Sequence, residues 1–384
     1  MAEDSYSESS HTGWLSRIGK SITGILVGGI MFVVAFPILW WNEGRSVLTA
    51  KGLAEGAKIT IEVSPERVDR AHEGQLVHTI GRAEGKDTVS DEAFGVSAPG
   101  LIKLRRDVEL FQWIESKSER TEKRFGGGEE TVTHYSYSTG WDDEVHASSN
   151  FKRPEGHLNP TPAYRAEDFS TRDAVLGAFR LPALLISAWN DFEPHRLPDI
   201  EKLPEARRAQ AAVRDGWLYV NGNPDTPKVG DARVRFASIP AGEASVLARQ
   251  VADTFEAYVT SFGTTIARIA SGAQSKEAMF AAAESENTLV TWLLRGGGFL
   301  LMFIGLALVL APLRVLADVV PFIGNLVGVG TGFAAFLLSV ICSMGTMATA
   351  WLWYRPALAI AIALVAAAAG YFLVKAFSKA KATA

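Results

Sequence analysis

The 384-residue chain holds a single cysteine, Cys342. No disulfide can form within it, so any water-exposed domain must be stable from its own core. Cys342 sits inside an apolar run, where a small packing residue is the plain reading. Charge of one sign is lacking as well: 38 Lys and Arg stand against 42 Asp and Glu, a net −4 spread along the chain. No basic block offers a footprint for nucleic acid. Catalytic motifs are also absent. There is no Gly-x-Ser-x-Gly elbow. Gly126, Gly127 and Gly128 are not followed by the Lys and Ser or Thr that a phosphate loop needs. The domain histidines His72, His78, His134, His146, His157 and His195 lack close ligand spacing. No metal, cofactor or catalytic residue is expected.

What the chain has is apolar length. Residues 22–41, 292–310, 327–350 and 357–374 form four apolar runs, each near the roughly 20 residues that cross a bilayer of about 30 Å. None carries a charge at mid-depth, which argues against a transporter or proton relay. The first run is too long for a signal-peptide core and reads as a retained anchor behind a disordered tail, residues 1–21. Trp40, Trp41, Arg45, Trp351, Trp353, Tyr354 and Arg355 are the expected membrane-interface residues, with 351–356 an aromatic turn. Arg295 is expected to snorkel to the interface. Gly24, Gly28, Gly328 and Gly332 are candidate helix-packing positions. Residues 311–326 read as an amphipathic cytoplasmic connection, with Arg314 facing Asp318 four residues on. Arg17, Lys20, Arg314 and the basic tail 375–384 fall on one side, which the positive-inside rule makes cytoplasmic. The middle of the chain then faces the periplasm or a lumen.

That middle, residues 42–291, reads as β-rich and makes the whole an α+β membrane protein. Alternation marks strands at 58–63, 76–80, 101–115, 131–141, 216–220, 232–238, 245–251 and 257–261. Residues 116–130 read as a long flexible hairpin tip. Helices are expected near 169–189 and at 276–294, the latter running into the second span. Phe111, Trp113, Tyr135, Tyr137 and Trp141 fall on two paired strands, as cross-strand packing or as a recognition surface.

Several motifs carry a family resemblance: Trp-Asn-Glu-Gly-Arg at 41–45, Glu-Gly-Gln-Leu-Val-His at 73–78, Leu-Arg-Arg-Asp-Val-Glu at 104–109 and Gln-Trp at 112–113. Tyr-Ser-Tyr-Ser-Thr at 135–139, Val-Gly-Asp at 229–231 and Tyr-Arg-Pro at 354–356 extend it. In their order along nearly the whole chain they resemble the LUMA, or transmembrane protein 43, family. The resemblance implies four passes, a large luminal domain, self-association and a scaffolding role without enzymatic activity. High Ala and Gly content and short polar loops suggest a bacterial member in an inner membrane; a eukaryotic one would lie in the endoplasmic reticulum or inner nuclear membrane. The lamina and emerin partners implied for animal members would not carry over to a bacterium. The expected partners are the chain itself, membrane lipid and other membrane proteins, not nucleic acid. The alternatives are a membrane-tethered periplasmic hydrolase or metal-dependent enzyme, for which the histidines must converge, and an oligomeric pore.

Overall fold

The computed structural model describes residues 4–208, 210–356, 360 and 364. Two compact units emerge. The first takes residues 1–10, 53–121 and 131–282; the second takes 11–52, 122–130 and 283–384.

The first unit holds two main sheets. One runs Asp4–Thr12, Glu129–Asp142, Lys103–Lys123, Ala232–Ile239, Trp217–Asn221, Ala212–Arg214. The other runs Phe179–Leu181, Ala174–Leu176, Leu76–Gly85, Gly242–Val251, Thr254–Glu256. Their pairing follows the period of two: Leu104, Arg106, Val108, Leu110 and Gln112 are buried, while the residues between them are half-exposed. Val108 pairs with Val234, and Val246 with Thr79. Val77, Ala83, Leu176, Phe179, Val246 and Trp189 pack into one core; Phe94, Leu104, Val108, Leu218, Val234 and Phe236 pack into another. The Trp189 indole donates to Ser271 Oγ at 2.9 Å, so its polar edge is satisfied within the core.

Three expectations fail here. The helix expected near 169–189 is a set of short strands, Glu167–Ser170, Ala174–Leu176 and Phe179–Leu181, followed by a six-residue helix, Ala183–Ala188. Gly177, at φ +59°, turns the chain between two of them, so apolar residues spaced like a helix face lie on a hairpin instead. The long tip is also shorter than expected. Strand structure persists through Lys123 and resumes at Glu129, since main-chain pairing needs no apolar face. The Thr121 and Thr131 hydroxyls, 3.0 Å apart, bridge the two arms. Finally, the Ser-rich N-terminal tail is a strand, Asp4–Thr12, completed by an edge its own composition cannot reveal.

We label the helices α1 (Trp14–Ile59), α2 (Ala183–Ala188), α3 (Glu205–Arg208), α4 (Lys276–Ala317) and α5 (Pro321–Tyr354). α1, α4 and α5 are long and apolar enough to cross a membrane. The expected fourth span, 357–374, lies outside the described residues except for Ile360 and Leu364. α1 outruns its span at both ends, so residues 42–59 are helical and only Ile61–Glu62 of the expected strand at 58–63 survives. The amphipathic connection is also absent. α4 continues through Pro312 to Ala317, and α5 begins at Pro321, where the missing N–H costs no helical bond.

In the second unit, α1 and α4 touch backbone to backbone. A Cβ on Gly305 would lie 2.7 Å from the Gly28 carbonyl oxygen and 2.8 Å from Phe32 N. A Cβ on Gly28 would lie 2.7 Å from Leu308 Cβ. Ala35, Leu39 and Met302 are completely buried beside this crossing. Replacing Gly28 by Leu should therefore part the helices, at a cost of about 1–3 kcal/mol or more. Gly29→Leu meets open space and should be near neutral. Thermal unfolding of the two variants in detergent measures the difference, and equal melting would refute the close crossing.

Candidate functional site: two polar clusters among the helices

Asn42, Glu43 and Arg45 project from α1 just beyond its apolar run, and Asn287, Thr291 and Arg295 recur every four residues on α4. A spacing of four puts side chains on one helix face. The Arg295 guanidinium grips the Glu43 carboxylate with two bonds, Nε to Oε1 at 2.6 Å and Nη2 to Oε2 at 2.8 Å. Glu43 is 1% exposed. Asn42 donates to the Thr291 carbonyl at 3.0 Å. Arg45 donates to Asn287 Oδ1 and Thr291 Oγ1, both at 2.9 Å. Asn287 in turn donates to the Ser46 carbonyl at 3.1 Å.

This explains the motif at 41–45 residue by residue. Asn42, Glu43 and Arg45 bind α4. Gly44 makes room for α5, because a Cβ there would lie 2.6 Å from the Tyr354 hydroxyl. Trp40 meets the rings of Trp353 and Tyr354 at 6.3 and 6.4 Å. Of the expected interface residues, Trp41 and Trp353 are exposed, and Arg355 lies 4.9 Å over the Trp351 ring. Arg45 and Arg295 differ from the expectation. They turn inward as pairing groups instead of reaching outward, because each finds acceptors on the facing helix.

A second cluster forms where α1 begins. Asp318, in the turn between α4 and α5, has no exposed surface. Its carboxylate accepts from Arg17 Nη2 at 2.5 Å and Lys123 Nζ at 2.6 Å. Arg17 also meets Glu129 at 2.7 Å and donates to the Gly127 carbonyl at 2.5 Å. Gly126 N donates to the Val319 carbonyl at 3.1 Å, and Trp14 Nε1 to that of Val315 at 2.9 Å. Asp318 thus pairs with Arg17 and Lys123, not with Arg314. Burial alone would raise the Asp318 pKa, but the bonds from Lys123 and Arg17 outweigh it and hold the carboxyl below its ordinary range. Arg17, Arg314 and the α4–α5 turn share one end of the helices, as their charges suggested. The hairpin tip 122–130 joins them there.

The remaining candidates are distributed. Gly28 packs on Gly305, Gly24 lies 3.9 Å from Leu308, Gly328 underlies Arg314 and Gly332 faces open space. The aromatic residues fall into separate groups. Trp141 contacts Phe111 and Tyr219, whereas Tyr137 stacks on His157 at 3.9 Å and Trp113 meets that ring edge-on. Tyr135 sits against Tyr6 of the N-terminal strand. Burial and a hydrogen bond to Glu115 push the Tyr137 hydroxyl up to about 12. The histidines have separate partners: His78 meets Gln274, His134 Ser7, His146 Asp142, His157 Asp4 and His195 Ser238. Among the described residues no three His, Cys, Asp or Glu side chains gather as a metal site.

The family model for transmembrane protein 43 matches residues 110–356. Transmembrane protein 43 of Rattus norvegicus is 35% identical over 90% of this chain and 88% of its own. The Homo sapiens protein is 35% identical over 92% and 90%, and the Drosophila melanogaster homolog 28% identical over 89% and 92%. No solved structure matches.

Breaking either half of the buried pair strands a charge, so Glu43→Ala or Arg295→Ala should cost about 3 kcal/mol. The Glu43→Leu/Arg295→Leu double variant should recover part of that loss in detergent melts; additive losses would show that the pair is uncoupled. Asp318 has a lowered folded-state pKa, so its contribution is complete above the usual carboxylate range and fades as pH falls below it. Asp318→Asn should reproduce that loss at pH 7, freeing Lys123 and speeding tryptic cleavage after it. Cleavage no faster than in the wild type would contradict the role assigned to Asp318.

Proposed function

We propose, from the premise that this chain belongs to the transmembrane protein 43 family, that it is a non-enzymatic membrane scaffold which self-associates and holds partners through its β-rich domain. One observation carries the reading. The charged groups at the crossing of α1 and α4 are spent on each other, and the outward helix surfaces are apolar. Val329, Phe333, Ile341 and Met344 are each more than 60% exposed on α5. Such helices fit lipid or other helices and offer no charged path for an ion. In the first unit, cations such as Arg106 and Arg233 are likewise occupied, by Asp91 and Glu109. They brace the sheet where a catalytic site would need free groups. The role is positional: a rigid domain is fixed to the membrane, and repeated copies form a platform for protein or lipid partners. We place it in a bacterial inner membrane.

Chemical crosslinking of native membranes should give a ladder of homo-oligomers that persists as expression is lowered. A single monomer band at every protein level would refute self-association.

A further inference from the structure

Beside the Asp318 cluster, the ends of α1, α4 and α5 enclose a cleft of about 370 Å³. Its lining includes Arg17, Lys20 and Arg314 and the single carboxylate of Glu129. Ala307 and Ala311, on the same stripe of α4 as Arg314, and Gly332 of α5 add small apolar surface. The charges do not cancel. Arg17 and Lys123 are balanced by Asp318 and Glu129. Lys20 and Arg314 are left over, with no acidic partner among the described residues. Residues 357–384 cannot supply an acidic side chain, since they contain neither Asp nor Glu. Arg314 is also given a seat. Its stem lies over Gly328, where a Cβ would come within 3.0 Å of Arg314 Cδ.

We propose that this cleft binds the phosphate of an anionic glycerophospholipid. Lys20 and Arg314 take the phosphate oxygens, while Arg17 stays committed to Asp318 and Glu129. The Ala and Gly surface beside Arg314 accepts the start of the acyl chains. The two features together favour lipid over a free anion: two unbalanced cations suit a phosphate, and small apolar residues beside them at the end of membrane-length helices suit its hydrocarbon. Like-charged Lys20 and Arg314 gain their missing counter-charge from the ligand. The proposal rests on the membrane reading above.

The test uses the full-length protein, purified in mild detergent and mixed with equal amounts of phosphatidylglycerol and phosphatidylcholine of the same chains. Retained lipid is read by native mass spectrometry. The wild type should retain phosphatidylglycerol preferentially, and Lys20→Gln/Arg314→Gln should lose about 10- to 30-fold of that preference. An Arg196→Gln control, exposed and remote in sequence, should keep it. Gly328→Leu, which leaves both cations in place but displaces the Arg314 stem, should also weaken retention. Equal retention of the two lipids by the wild type, or an unchanged preference in the double variant, would overturn the proposal. So would protection from thermal unfolding by inorganic phosphate, lost in the double variant and unaccompanied by any lipid preference, since the ligand would then be the free anion. Crosslinked oligomers that survive in the double variant separate a failure of this site from a failure of the scaffold reading.

Discussion

A carboxylate withdrawn from water must be met, and Glu43 meets Arg295. Much of the helical unit depends on that requirement. The pair fixes the rotation of α1 against α4, because a two-bond grip tolerates little twist. That rotation aims Gly28 at Gly305 and lets the backbones close. The same rotation turns Gly44 toward Tyr354 and brings the aromatic end of α5 onto Trp40. In hydrocarbon the apolar effect between helices is weak, so close backbone contact and internal polar bonds have to supply the cohesion. Both are present at one crossing.

The lengths of the apolar runs were readable because a bilayer imposes a length on any helix that crosses it. The main strands at 76–80, 101–115 and 232–238 were readable because their apolar residues alternate. The region 169–189 was not, since Val175, Leu176 and Phe179 are spaced as on a helix face and Gly177, which breaks the region into a hairpin, carries no such signal. Pairing across long sequence distance was also hidden. Nothing near Asp318 indicates Arg17, 301 residues away, and Arg314 four residues before it is the more obvious partner. The motif 41–45 stood out in the sequence, but its chemistry did not. Glu43 and Arg45 look like boundary charges until α4 supplies Asn287, Thr291 and Arg295 on one face.

The two units solve the burial of charge alike. In the sheet, Arg106 lies under the strands with Asp91, as Glu43 lies between helices with Arg295. Both arrangements replace water by a fixed counter-charge, and both leave little freedom for the groups concerned. Ions committed in this way suit a molecule that holds a shape.

The cluster at Asp318 also sets an order of assembly. A ribosome makes Arg17 first, then Lys123, and reaches Asp318 301 residues after the first and 195 after the second. At roughly 5–20 residues per second, the first cation waits about 15–60 s for its anion. Over that interval the hairpin tip meets the start of α1 through the bonds from Arg17 to Glu129 and to the Gly127 carbonyl. The cluster is complete only when the turn between α4 and α5 has emerged, so a nascent chain that stalls or truncates before that turn lacks the Asp318 bridge between Arg17 and Lys123. In such unfinished molecules Lys123 would lack its anion, whereas in every completed copy it is held against Asp318.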